Sequence, residues 1–464
     1  MAGPVSSQEI AGIPAPALLL LPSPPQPATR ARLHAAYRVP LTAVLKRLSR
    51  QRTPQTLVVA VASSVLVPSR TQDSTASGIS AESTAPCSVR WRSSQALLAD
   101  IYALIASICA SHNLSPYSDS EKLAAVDARV VLIHHPSSAA LEAPLSSRRR
   151  LSSATASKSS VVLDLATFAA TVRPWSLFFH ISSESGYELL ADYLAHAEGR
   201  QLILQSQLVT VDGGISFSSQ SPTPRNAAGQ SCAQKAQEQD EVDGEDAIVG
   251  YKTVCLGGTF DHLHPGHKLL LQAAVLLLKI PKVGEEPCTI IVGISNSELL
   301  AKKEYVEEMQ SWDERARAVI AFLATQFNTP TTEAAQVTRL EVDGGDTPTM
   351  ELRVNFCDGT ADVRCVDIRD PFGPTISEEA IDAIVVSGET REGGKAINSR
   401  RTDRGWRTLD IYEIDVLDAT LADEEIEGSE DRQKKRHSVA ANPAAKISST
   451  DFRRRKAESR AHVG

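Results

Sequence analysis

The chain has 464 residues, 42% of them hydrophobic, and a formal charge of −8 at pH 7. This length exceeds one typical domain and predicts two globular units joined by linkers. The modest acidic balance argues against a dedicated nucleic-acid binder, so an anionic small ligand needs a local positive site.

From the amino terminus, the first apolar run, "APALLLLP" (15–22), is short, follows no basic region and stops at proline; it predicts a strand, not a signal peptide or membrane span. "TLVVAVAS" (56–63), "RVVLIHH" (129–135), "WSLFFHIS" (175–182) and "RQLILQSQLVTV" (200–211) read as further strands. Between them, "QALLADIYALIASICASH" (95–112) and "GYELLADYLAHAE" (186–198) carry apolar residues at helical spacing. The alternation predicts an α/β domain over residues 1–215, without a catalytic motif. Ser-, Pro- and Ala-rich inserts at 68–88 and 136–160 interrupt it, and a similar linker at 216–247 separates it from the second unit.

After the linker, "YKTVCLGG" (251–258) reads as a strand and glycine turn, and "GHKLLLQAAVLLLKI" (266–280) as a helix. "CTIIVGIS" (288–295) then reads as a strand and "WDERARAVIAFLATQF" (312–327) as a helix. "MELRVNFCDGTADVRCVDI" (350–368) predicts a hairpin around Asp358 and Gly359, with "AIDAIVVSG" (380–388) and "DIYEIDVLD" (410–418) as later strands. Continuous apolar strands crossed by helices predict a Rossmann-like, doubly wound, mostly parallel sheet over 248–456, with 457–464 as a tail. The seven cysteines are scattered without a CxxC pair, which predicts reduced thiols and a cytoplasmic setting.

In such a sheet, ligands bind beyond the carboxyl ends of the strands. The turn leaving the first strand of the second unit is "GGTFDHLHPGH" (257–267). Gly257 and Gly258 permit close backbone approach, Thr259 offers a hydroxyl, and Gly266 and His267 begin a helix whose free N–H groups favour phosphate. The same residues leave two other readings open: a zinc site built from Asp261, His262, His264 and His267, or a merely satisfied polar turn. Pro265 and the three-residue spacing of His264 and His267 weigh against zinc.

The stretch resembles the T/HxGH signature of the nucleotidyltransferase superfamily, with Thr259 followed by His264-Pro265-Gly266-His267. Further segments in the same order are "GISNSELLAKK" (293–303), "ERARAVIAFL" (314–323), "DPFGPTISEEAIDAIVVSGETREGGKAINSRRTDRGW" (370–406) and "KISSTDFRRR" (446–455). Together they are similar to the eukaryotic and archaeal type of phosphopantetheine adenylyltransferase, over roughly residues 250–456. Gly388 stands where that family commonly has a second acidic residue.

The resemblance implies transfer of AMP from ATP to 4′-phosphopantetheine, the penultimate step of coenzyme A synthesis, with Mg²⁺ carried by the ATP phosphates and no protein metal ligands. It implies that Thr259, His264, His267 and one of Lys302 and Lys303, with Lys303 preferred, do the chemistry. Gly258, Phe260, Asp261, Gly266, Arg315, Asp370, Glu389, Thr390, Asn398, Arg401, Ser449, Thr450 and Arg453 are the implied ATP and substrate contacts. His262 is read as incidental. Other coenzyme A enzymes are conceivable partners. Since no GxxxxGK[ST] loop occurs, the following kinase step is expected from a separate, fungal-type protein. The competing expectations are a cytidylyltransferase, a nicotinamide mononucleotide adenylyltransferase, or a non-catalytic pathway scaffold.

Overall fold

The computed structural model describes residues 15–51, 53–68, 87–114, 125–135, 162–215, 247–279, 281, 285–329, 337–342, 349–414 and 449–461. The expected insert at 136–160, the linker as far as 246 and most of 68–88 lie outside the described residues.

The amino-terminal half builds β1 (Ala17–Leu21), α1 (Arg30–Leu48), β2 (Gln55–Ser63), β3 (Leu66–Pro68), β4 (Cys87–Arg90), α2 (Trp91–Ser111) and β5 (Val126–His134). It continues with β6 (Leu163–Asp164), α3 (Leu165–Ala170), β7 (Phe178–Ile181), α4 (Glu184–Ala197) and β8 (Leu208–Val211). Six of these strands pair in parallel in the order β6-β5-β2-β1-β7-β8. Every residue of β1 is buried, as a strand covered on both faces requires.

Two expectations change here. The strand expected over 200–211 shrinks to β8, because Leu202 and Leu204 stay exposed and residues 205–207 form a 3-10 turn. Helix α1 has no counterpart among the sequence expectations. Pro40 sits inside it, which breaks the apolar pattern, yet Leu33, Tyr37, Leu41, Val44, Leu45 and Leu48 bury one face at helical spacing.

The second half builds β9 (Ala247–Ile248), β10 (Thr253–Gly258), α5 (Pro265–Leu276), β11 (Cys288–Ser295), α6 (Ser297–Leu300), α7 (Trp312–Gln326) and β12 (Thr338–Val342). Then come β13 (Thr349–Phe356), β14 (Ala361–Ile368), β15 (Ala383–Ser387), α8 (Arg391–Asp403), β16 (Asp410–Ile414) and α9 (Ser449–Ala461). The sheet order is β12-β13-β14-β11-β10-β15-β16, parallel from β14 to β16, with β12 and β13 antiparallel. The β13–β14 turn carries Cys357, Asp358 and Gly359 at positive φ, as the sequence Cys-Asp-Gly permits. Helix α7 starts on a capping box, with the Ser311 hydroxyl accepting from the Glu314 N–H and the Glu314 carboxylate accepting from the Ser311 N–H.

The two halves share one hydrophobic core. Helix α2 packs against α5, and a continuous buried cluster runs from Leu98, Ile101 and Ile105 to Leu269, Leu271 and Val275. Helix α2 is the one described helix long and apolar enough to cross a membrane, and 72% of its most apolar window is buried inside the protein. Ala247, which the sequence reading places in the linker, pairs with Arg90 in a small sheet of β3, β4 and β9 that ties the halves together.

Candidate active site

Strand β10 is flanked by β11 on one side and β15 on the other, so the winding direction reverses between β10 and β15. A doubly wound sheet opens its ligand crevice at that reversal, outside the carboxyl ends. The register pairs Leu256 with Val385. This sets the turn after Gly258 and the one after Ser387 at the carboxyl ends of neighbouring strands.

The HPGH segment folds as a helix start for local reasons. His264 is the N-cap, its Nδ1 accepting from the His267 N–H at 3.4 Å, and Pro265 occupies the first turn, where its missing N–H costs nothing. A Cβ on Gly266 would sit 3.2 Å from the His264 ring, so glycine lets that ring fold over the helix start. The His264 and His267 rings stack at 3.7 Å and 23°, and the ring of Phe260, a residue at φ 52°, lies 5.3 Å from that of His267. His267 keeps some solvent exposure, but the burial of its ring and the adjacent His264 hold its pKa well below 6.5. Its Nδ1 is buried without a hydrogen-bond partner. Two stacked imidazoles do not converge on one metal ion, which removes the zinc arrangement.

The other acid and base of the turn point elsewhere. Asp261 is fully buried: its carboxylate accepts from the Gln310 N–H at 3.0 Å and from Arg453 Nη1 at 2.6 Å. It is an anchor for α9, not the nucleotide contact expected from the sequence. His262, at φ 43°, lies with Nε2 3.2 Å from the Glu308 carbonyl and its ring 4.0 Å from that of Phe452. Gln310 accepts from its backbone N–H. Glu308, Gln310 and Phe452 were missed by sequence reasoning because no spacing links them to the turn.

The remaining expected residues divide. Lys302 and Lys303 are exposed just beyond α6, at the carboxyl edge of β11. Asp370 is exposed after β14, its Oδ1 accepting from the Phe372 and Gly373 N–H groups. Glu389 and Thr390 are exposed after β15, with Thr390 Oγ1 accepting from the Ser387 N–H. These residues line the expected edge. Arg315 is buried beneath it, donating to the Thr259 and Gln310 carbonyls at 2.7 and 3.1 Å, and so holds the turn from below.

Arg401 and Asn398 do not reach the crevice. Arg401 is fully buried and donates to the carbonyls of Thr375, Glu378, Glu379, Ile381 and Arg407, which engages all five of its N–H groups. Asn398 exchanges two hydrogen bonds with the Leu409 backbone. Both hold α8 against the segments around it, in place of the phosphate and base contacts expected.

Helix α9 brings Ser449, Thr450 and Arg453 to the turn. Ser449 donates to the Asp261 carbonyl, while Arg453 binds the Asp261 carboxylate, the Glu304 carbonyl and Thr450 Oγ1. The segment therefore reaches the site as expected, but in this structure Arg453 serves the loop.

A doubly wound sheet whose first strand runs through a glycine turn into an HxGH helix start defines an α/β nucleotidyltransferase. Residues 255–455 match a family described as cytidylyltransferase-like, and residues 5–217 match a domain of unknown function (DUF8446). A phosphopantetheine adenylyltransferase of Methanothermobacter thermautotrophicus is 31% identical over 36% of this chain and 76% of its own length. The Saccharomyces cerevisiae phosphopantetheine adenylyltransferase is 29% identical over 38% of this chain and 46% of its own. An uncharacterized protein of Schizosaccharomyces pombe is 33% identical over 38% of this chain and 44% of its own. The matched segment thus spans less than half of either fungal relative. The chain belongs to the phosphopantetheine adenylyltransferase-like nucleotidyltransferases.

Proposed function

We propose that the chain transfers AMP from ATP to 4′-phosphopantetheine, releasing pyrophosphate and forming dephospho-coenzyme A. The observation that supports this most is that the segments leading into the HPGH helix start and the Ser387–Thr390 turn leave the carboxyl ends of the neighbouring strands β10 and β15, at the switch point. An oxygen of the phosphopantetheine phosphate attacks the α-phosphorus, a new P–O bond forms, and the α–β bridging P–O bond breaks with its electrons leaving on pyrophosphate. A phosphate monoester is largely dianionic at pH 7, so no base need take a proton.

The start of α5 offers a phosphate oxygen the Gly266 N–H and the positive end of the helix dipole, and Thr259 adds a hydroxyl beside them. His267, neutral before ATP enters, donates from its ring to charge developing on the transferring phosphoryl group. His264 acts beside it as the cap that fixes its backbone. Lys303, or Lys302 next to it, supplies the mobile cation for the leaving phosphates. Mg²⁺ would enter with the ATP phosphates and not on protein carboxylates, which fits a turn whose buried carboxylate, Asp261, is already paired with Arg453. Bound with ATP, it would neutralise charge between the two anionic substrates.

Pyrophosphate release with ATP and 4′-phosphopantetheine, against CTP and against nicotinamide mononucleotide as acceptor, is the test. Turnover only with CTP, or only with nicotinamide mononucleotide, would replace the reading.

A further inference from the structure

The HPGH helix is enclosed on every side: ten of the twelve residues of α5 are buried, among them Lys268 and Gln272. A buried lysine in the turn after the catalytic histidine is unusual, because burial disfavours its charge and a cation opposes the dipole of a helix start. Its partner comes from the other half of the chain. Lys268 Nζ donates to the Asp127 carboxylate and to the Ala128 carbonyl, both on β5. One turn later, Gln272 Nε2 donates to the Val130 carbonyl at 3.0 Å, and Gln326 of α7 donates to the same oxygen at 3.0 Å. Arg129, paired with Asp127, donates to the Ala321 carbonyl and to Thr325 Oγ1 of α7. Trp91 Nε1 donates to the Ala273 carbonyl at 3.1 Å.

The stretch of β5 that the short β6 leaves unpaired is thus met by side chains of the nucleotidyltransferase unit, and the unit's HPGH helix is held at Lys268, Gln272 and Ala273 from the amino-terminal half. Hydrophobic contact alone would let α5 slide or rotate, whereas a buried charge pair fixes where its first turn sits. We propose that Asp127 is a positioning residue of the transferase site: through Lys268 it sets the placement of His267, so the amino-terminal half is a working part of the active site. This rests on the transferase reading above and adds a contributor outside the nucleotidyltransferase unit.

The test uses the full chain as wild type, Asp127→Asn, Asp127→Glu and the double variant Asp127→Asn/Lys268→Met, which removes both charges of the pair and leaves Arg129 its hydrogen bonds to the Ala321 carbonyl and Thr325 Oγ1. Pyrophosphate release is normalised to folded protein by circular dichroism. In Asp127→Asn and in the double variant, kcat is expected to fall by about tenfold or more, as a small misplacement allows. The KM for ATP is expected to stay within about threefold, and Asp127→Glu to recover most of the rate. Near-normal kcat in the folded double variant overturns the proposal.

A second readout does not need turnover. The ring signal of His267 in the ligand-free protein, assigned by its loss in His267→Ala, should shift in the charge-neutral double variant while that of His180 in β7 stays. An unmoved His267 signal overturns the positioning role whatever the reaction is. Absence of wild-type turnover with a shifted signal overturns the transferase reading and leaves the positioning of His267 supported.

Discussion

In the first sheet β2 and β5 lie to one side of β1, with β7 and β8 to the other; in the second, β11 and β14 lie to one side of β10, with β15 and β16 to the other. Both halves are wound alike and both place a switch point beside their first strand. What differs is the connection leaving that strand. After β1 comes "PSPPQPAT", in which four of eight residues are prolines with no N–H to offer, and α1 begins without a side-chain cap. Strand β10 ends on two glycines, a short turn follows, and α5 begins on a histidine side-chain cap. One winding, two connections: the proposed anion site belongs to the turn, and the fold supplies only its address.

The sharpest way to break this contrast is at His267. His267→Ala is expected to lower the turnover rate by about 10² or more, the range for losing one preorganised donor, with little effect on unfolding. Near-normal turnover would remove the turn from the chemistry.

The next largest effect is at Arg453. Arg453→Ala leaves the fully buried Asp261 without its cation, and breaking a buried pair from one side costs about 3–5 kcal/mol in general. Here the expected response is local: α9 undocks before the sheets unfold, so amide exchange should quicken over 449–461 and turnover should drop. Unchanged exchange in α9 would show that Phe452 and Ser449 hold it without the pair.

These two residues also mark how much the sequence could tell. The HPGH helix start was legible because its geometry is local: cap, proline and glycine lie within four residues and follow from backbone chemistry. The parallel sheet was legible for the same kind of reason, since strands buried on both faces, such as β1 and β2, read as unbroken apolar runs. Arg401 and Asp261 were not, because an arginine that binds five carbonyls and one that binds phosphate look the same in one dimension. Nor was the Asp127–Lys268 pair, whose members are 141 positions apart. Helix α1 was hidden by Pro40, which tertiary packing overrides.

A smaller effect separates the halves from the other side. A Cβ at Gly214 would lie 2.1 Å from the Ala35 carbonyl oxygen and 2.4 Å from that of Ala36, both backbone atoms of α1. Gly214→Ala should therefore destabilise the amino-terminal sheet by roughly 1–3 kcal/mol, as overpacking does. The midpoint of urea unfolding should fall while kcat per folded molecule stays constant. A changed kcat would mean that the segment after β8 communicates with the distant turn.

The smallest effect is a slope. Burial holds the pKa of His267, and those of His180 and His134, below the ordinary imidazole value; for His267 the neighbouring His264 ring adds to the shift. In the unfolded chain each takes up a proton as the pH falls through about 6.5, whereas the folded chain resists until its own lower pKa is reached. Over that window the unfolded state binds more protons, so stability rises with pH and is lost as pH falls, by at most about 1.4 kcal/mol per pH unit for each histidine. His267→Gln removes one of these contributions and should flatten the dependence of unfolding free energy on pH below about 6.5. His180→Gln should flatten it as well, from the other sheet and without touching turnover. If His267→Gln leaves the slope unchanged, the ring takes up its proton over the same pH range folded as unfolded, and neither burial nor the His264 ring sets the charge with which the turn meets ATP.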